Sequence, residues 1–312
     1  AGWDRGNLNL SELKTNDMLA GEYVREALKR GLAIEAETGV NPFKLGVIGS
    51  TDSHTGLATA DSDNYFGKHV AVEPSAKRAT FDDALLRRGL RIGWHYLASG
   101  YAAVWATENS REAIFDAMMR KEVYASTGPR ISLRFFGGWN FTMKDSNATD
   151  FVERGYSKGV PMGGDLPAQT NNGAPTFLLS ALMDPDRANL DRMQIVKGWI
   201  DKEGVTQETV RDIAWSGDRV PGKDGKLPAV GDTVDLSVPT WSNEIGAPEL
   251  RAAWTDPDFD PDMAAFYYVR VIEIPTPRWT AYDAVRYGAH IPDDAPLKTQ
   301  ERAYSSPIWY SP

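Results

Sequence analysis

Lys44-Leu45-Gly46-Val47-Ile48-Gly49-Ser50-Thr51-Asp52-Ser53-His54-Thr55-Gly56 begins as a short apolar run and ends in small polar residues, an aspartate and a histidine. Val47 and Ile48 are β-branched, and the run is too short for a helix. It reads as a buried parallel strand with functional groups at its C-terminal end. Asp52 and His54 lie two residues apart, so an extended chain points both side chains the same way. A carboxylate and an imidazole so placed are ligand types for zinc, manganese or iron. The same spacing also fits a turn capped by Asp52 with His54 on the surface.

Upstream, the spacing predicts a helix over 22–37. Val24, Ala27, Leu28 and Leu32 share one face, and Glu26 and Arg30 form an i,i+4 pair on another. Gly39 is placed to end it, with Pro42 following. Helix, short loop and strand in that order suit a βα-type barrel. Residues 1–21 are polar and read as a loop.

Downstream, Asp61-Ser62-Asp63 sits in a loop-like stretch, read as solvated rather than metal-binding. His69 falls in a strand-like segment and reads as structural. Thr80 with Asp83 resembles a capping box opening a helix with Leu85 and Leu86 that stops at Gly89. His95, between aromatics and near a glycine-rich turn, is a second histidine candidate for a site. Asn109 with Glu112 predicts another helix start. A strand from Val123 is broken by Thr127-Gly128-Pro129 and resumes with Ile131, Leu133 and Phe135. Arg130, just past that turn, is either a fork for an anionic oxygen of a substrate or a salt bridge holding the turn.

From Gly137 the composition turns to Gly, Asn, Asp, Thr and Pro, which predicts a loop-rich connection over 137–174. Beyond it, strand-like runs over 176–182, 193–200, 210–215, 249–254 and 265–274 are separated by turns, the pattern of an antiparallel sandwich. Asp256, Asp258, Asp260 and Asp262 are spaced like the start of a calcium loop, but the sixth-position glycine and terminal glutamate are missing. A stiff acidic loop fits equally. Pro275, Pro277, Trp279, Trp309 and Tyr310 suggest an aromatic strap across the fold.

Three blocks carry a resemblance. They are Gly49–Gly56, then Glu108-Asn109-Ser110-Arg111-Glu112-Ala113-Ile114-Phe115-Asp116-Ala117 with Tyr124–Arg130, then Phe266–Trp279. Together they resemble the bacterial domain-of-unknown-function 3604 family, which looks like a branch of the PHP-type metal-dependent phosphoesterases. The resemblance implies a distorted barrel of strands and helices around two or three metal ions. Asp52 and His54 match its last metal motif, a D-x-H at a strand end. PHP-type proteins open with H-x-H, whereas the four histidines of this chain, His54, His69, His95 and His290, form none. The expectation is therefore the C-terminal part of a longer chain: residues 1–136 as the end of a PHP-like barrel, 137–174 as the connection, and 175–312 as a β-sandwich-like domain.

With 312 residues the chain is long enough for two cores, and its 42% hydrophobic content is ordinary for a globular protein. The net charge of -9 argues against a nucleic-acid or anionic-membrane partner. No apolar run is long enough to span a membrane. The absence of cysteine excludes thiolate chemistry and suits a periplasmic or extracellular setting, as does the resemblance.

The expected activity is hydrolysis of phosphate or related esters by a metal-activated water. Asp52 and His54 would be the catalytic and metal ligands, and Arg130 and His95 would contact a small anionic ester. The alternative is a non-catalytic module contacting carbohydrate or protein. An exposed flank on the Asp52/His54 strand is expected to be covered by a preceding half, a second chain or self-association.

Overall fold

The computed structural model describes residues 14–81, 92–98, 100–169 and 173–312. Its order begins with helices α1 (Asn16–Leu19) and α2 (Val24–Thr38). Strand β1 (Tyr101–Val104), helix α3 (Arg111–Met119), β2 (Val123–Ser126) and β3 (Ser132–Gly138) follow. Next come α4 (Met143–Ser146), α5 (Phe151–Lys158), β4 (Val160–Pro161), β5 (Thr176–Leu182), β6 (Leu190–Ile200), β7 (Thr206–Trp215) and β8 (Glu249–Thr255). The chain closes with β9 (Ala265–Glu273), β10 (Thr276–Pro277), α6 (Trp279–Tyr287), β11 (Lys298–Thr299), β12 (Arg302–Ser305) and β13 (Ile308–Tyr310).

Two antiparallel sheets face each other. The larger runs β1-β2-β12-β9-β6-β7, with β13 also paired to β9, and the smaller runs β4-β3-β5-β8. Alternation explains the layer between them. Leu133 and Phe135 of β3, Phe177 and Leu179 of β5, and Tyr267 and Val269 of β9 all point into one apolar cluster. Phe177 is fully buried, with its ring 5.5 Å from Phe135 and 4.4 Å from Tyr267.

β9 is buried along both faces because a helix covers its outer side. The apolar face of α2, Leu28 and Leu32, packs on Phe266, Tyr268 and Val196. Gly39 ends α2 in the left-handed region at φ 78°, as its position after Thr38 predicts. On the far side of the small sheet, Phe141 and Phe151 cover Phe136 and Leu178. The result is a mixed α/β protein made mostly of antiparallel strands.

Several expectations change. Among the described residues no closed barrel is seen, and no strand forms over 45–50. Leu45 and Ile48 are 42% and 52% exposed. That segment is held by isolated bonds, Val47 N to Ser306 Oγ at 2.9 Å and Gly100 N to Ser50 O at 3.1 Å, instead of a ladder. β3 crosses position 137 and pairs with β5 along its whole length, so the sandwich begins before that point. The stretch 137–174, expected as loop, carries α4, α5 and β4.

Ser110, not Asn109, caps α3, accepting from Ala113 N. His69 caps a 3-10 turn at Val70–Val72 instead of sitting in a strand. Trp279 opens α6, while Trp309 and Tyr310, expected in an aromatic strap, lie in β13 paired to β9. The helix expected from Asp83 to Gly89 lies outside the described residues. No helix of the described residues is long and apolar enough to cross a membrane.

Candidate functional site

A cleft of about 790 Å³ opens beside the β2–β3 turn. Local sequence explains how its walls come together. Gly100 lies so close to Ser126 O that a Cβ there would overlap it, and Gly128 holds φ 151° against Ala60 O. The second contact seats Ala60 against the β2–β3 turn. Ala60 N then donates to Tyr101 Oη at 3.4 Å. Asp61 and Asp63 become one wall of the cleft.

The opposite wall is the β5–β6 connection. Asp184, 2% exposed, accepts from Arg130 N at 2.7 Å and from Asp186 N at 3.1 Å. Arg187 reaches across to pair with Asp61, which ties the two walls together. Trp241 is carried by a loop fixed by Asn189. The Asn189 amide donates to Asn243 O at 3.1 Å and Ile245 O at 2.9 Å. Tyr282 comes from α6.

α6 is itself anchored by the buried pair of Arg78 with Asp283, Nη2 to Oδ1 at 2.7 Å. Four carboxylates (Asp61, Asp63, Asp184, Asp186), two guanidiniums (Arg130, Arg187) and the rings of Tyr101, Trp241 and Tyr282 thus converge on one cleft.

Below it lie two carboxyls, the buried Glu273 at the end of β9 and the partly buried Glu301 just before β12. Burial pushes Glu301 up to about 6, although Thr127 donates to it. Burial and the neighbouring Glu301 hold Glu273 well above the usual carboxylate range.

The residues expected to act together are only partly gathered. Arg130 lines the cleft, but its guanidinium is engaged by Asp184 at 3.3 Å and Asp186 at 3.0 Å, the salt-bridge form of the two readings. Asp52 takes φ 48°, unusual for a residue with a Cβ, and its carboxylate is paired with Lys68. His54 turns Nδ1 onto Asp52 O at 3.0 Å and is exposed. His95 accepts from Ile92 N at 3.3 Å and packs edge-on to Trp94 at 4.1 Å, which closes a 3-10 turn.

In this arrangement the Asp52 carboxylate holds Lys68 and His54 Nδ1 faces the Asp52 carbonyl. Among the described residues no group of three or more His, Cys, Asp or Glu side chains is arranged to hold a metal ion. The calcium-like spacing over 256–262 also dissolves. Asp256, Asp258 and Asp260 pair with Lys197, Arg211 and Lys202 respectively.

A family described as "Protein of unknown function (DUF3604)" matches residues 1–312. The chain belongs to the DUF3604 family. None of the curated proteins matches it. For this DUF3604 chain, the cleft residues that sequence reasoning missed are Asp184, Asp186, Arg187, Trp241 and Tyr282, with Glu273 and Glu301 below them. One signal was available. Glu273 interrupts the run Tyr267-Tyr268-Val269-Arg270-Val271-Ile272-Glu273-Ile274, and a carboxylate inside a buried strand needs a reason.

Proposed function

We propose that this DUF3604 chain binds a polyhydroxylated, carbohydrate-type ligand in the 790 Å³ cleft. The observation that carries this reading is the combination of aromatic rings with carboxylates and guanidiniums in one concave wall. Trp241, Tyr282 and Tyr101 offer faces to the apolar side of a sugar ring, while Asp61, Asp63 and Asp186 accept from hydroxyls. With four carboxylates against two guanidiniums, a neutral or cationic ligand suits the cleft better than an anion.

The test is calorimetric titration with a panel of neutral, acidic and amino sugars and their oligomers. Trp241→Ala should weaken binding of whichever sugar binds by roughly tenfold, about 1.4 kcal/mol. If no sugar of the panel binds, or Trp241→Ala binds like the parent, the reading fails.

One observation favours a second reading, metal-dependent hydrolysis of phosphate or related esters. The segment that carries the strained Asp52 and His54 is pinned by Ser50 beside Tyr101 on the cleft wall and continues directly into Asp61 and Asp63. Strain at a non-glycine residue beside a binding cleft is a mark of function, and the D-x-H order is that of the PHP-type resemblance. The periplasmic or extracellular setting belongs to the same proposal. Asp52→Ala and His54→Ala should each lower ester hydrolysis by roughly a hundredfold or more and leave the unfolding midpoint within about 0.5 kcal/mol of the parent. Unchanged hydrolysis in both variants would reject the reading. So would a parent that hydrolyses no phosphate ester with added manganese or zinc.

A further inference from the structure

At the back of the cleft, Pro129, Arg187, Trp241 and Tyr282 also line a smaller chamber. Its floor is made by Glu273, Glu301, Thr276 and Ser62. The free space is about 20 Å³, room for one water-sized group.

Glu273 is 1% exposed, and its Oε1 has no hydrogen-bond partner among the described residues. A desolvated acceptor left bare costs of the order of 1–3 kcal/mol, and more when charged. Such an atom facing a chamber points to a donor that arrives from outside. Arg187 lines the same chamber but is held by Asp61. Glu301 already accepts from Thr127 Oγ1.

We propose that the chamber is an amine-binding subsite of the cleft, which takes one protonated primary amino group of the ligand onto Glu273 and Glu301. The proposal rests on reading the cleft as a binding site, and it narrows the ligand to one that bears an amino group, such as an amino sugar. The chemistry selects an ammonium. It is water-sized and carries three donors, enough for Glu273 Oε1, the Glu301 carboxylate and a hydroxyl of Ser62 or Thr276. A sugar hydroxyl brings a single donor and no charge, so it leaves the second carboxylate unbalanced. The rings of Trp241 and Tyr282 add a cation–π wall.

The charged groups around the pair come from every neighbouring element. Arg187 and Asp184 belong to the β5–β6 connection, Asp61 to the loop over β1, Arg278 to the start of α6, and Arg302 to β12. The two carboxyls must be ionised to hold a cation. Binding is therefore lost below about 6, the value to which burial pushes Glu301, and keeps strengthening as pH rises above it, because burial and Glu301 hold Glu273 well above the usual carboxylate range.

The test uses the full chain and methylammonium chloride, with methanol as the neutral control, followed by ligand-observed NMR titration. Methylammonium should bind saturably at about pH 7.5. It should bind roughly tenfold more weakly in Glu273→Gln, and likewise at about pH 5. Methanol should be indifferent to both changes. If Glu273→Gln does not fold, as judged by circular dichroism, Glu301→Gln replaces it with the same expectation.

No saturable methylammonium binding by the folded parent, meaning a chamber that holds water only, overturns the proposal. Binding unchanged by the glutamine variant does so as well. Methylammonium needs only the chamber. If it binds as expected while no sugar does, the carbohydrate reading alone falls; if sugars bind and methylammonium does not, the amine subsite alone falls.

Discussion

Asp256→Ala is expected to destabilise the fold by roughly 3–5 kcal/mol, enough to unfold a marginal domain. Asp256 is 2% exposed, and one oxygen, Oδ2, receives both Lys197 Nζ at 2.6 Å and Tyr267 Oη at 2.8 Å. Lys197 is itself 5% exposed, on the central strand β6. Removal of the carboxylate strands an ammonium and a phenol in the interior, and only the Asp258 carbonyl, at 2.8 Å from Nζ, remains for the lysine. Burial already holds the Tyr267 hydroxyl far from ionisation, so it cannot release a proton to compensate. Urea unfolding followed by circular dichroism measures the loss. A change under about 1 kcal/mol would mean that Lys197 finds water, which its burial argues against. Lys197→Met with Asp256→Leu should recover much of the loss, because the cost lies in the unpaired charge and not in the missing bond.

Asp283→Ala is expected to cost a similar amount, roughly 3–5 kcal/mol, and also to loosen the cleft. Arg78 and Asp283 are 4% and 2% exposed and form a two-bonded pair through Nε and Nη2. The guanidinium lies 4.5 Å from the Trp279 ring centre and 5.3 Å from that of Tyr65, and Nη1 donates to Tyr65 O at 2.6 Å. One arginine therefore joins residues 65–81 to helix α6. Tyr282, the neighbour of Asp283, faces the cleft, so a displaced α6 moves a binding wall. The check is paired: the unfolding midpoint, and the affinity for the sugar that titrates the parent. Lost stability with unchanged affinity would show that α6 keeps its place without the ion pair.

Much of the secondary structure was legible in local pattern. The helix that ends at Gly39 and the strands Thr176–Leu182, Glu249–Thr255 and Ala265–Glu273 follow their apolar spacing within a residue or two. These elements bury one consistent face, so spacing alone reveals them. The run 45–50 has the composition of a buried strand, yet it meets only single bonds from Ser306 and Gly100 and remains exposed. A strand is defined by its neighbours, and composition does not name them. Asp61 and Asp63 read as a solvated loop because nothing in their own stretch shows Arg187 arriving from the β5–β6 connection.

Local pattern and residue identity were enough for the DUF3604 membership, the antiparallel character of the later strands and the chemical kind of each side chain. The tertiary structure alone decided which of them meet. Asp61, Tyr101, Arg130, Arg187, Trp241 and Tyr282 come from separate loops, strands and a helix, and the close approach of Gly100 to Ser126 and the Asn189–Asn243 bonds bring them to one cleft. Likewise, Asp52 and His54 carry ligand-type groups in their sequence, but Lys68 and the Asp52 carbonyl occupy those groups in the fold. The physical reason is range. Periodicity and turn chemistry act over a few residues, whereas a binding site is made by contacts between residues remote in the chain, which exist only once the two sheets have closed on their shared core.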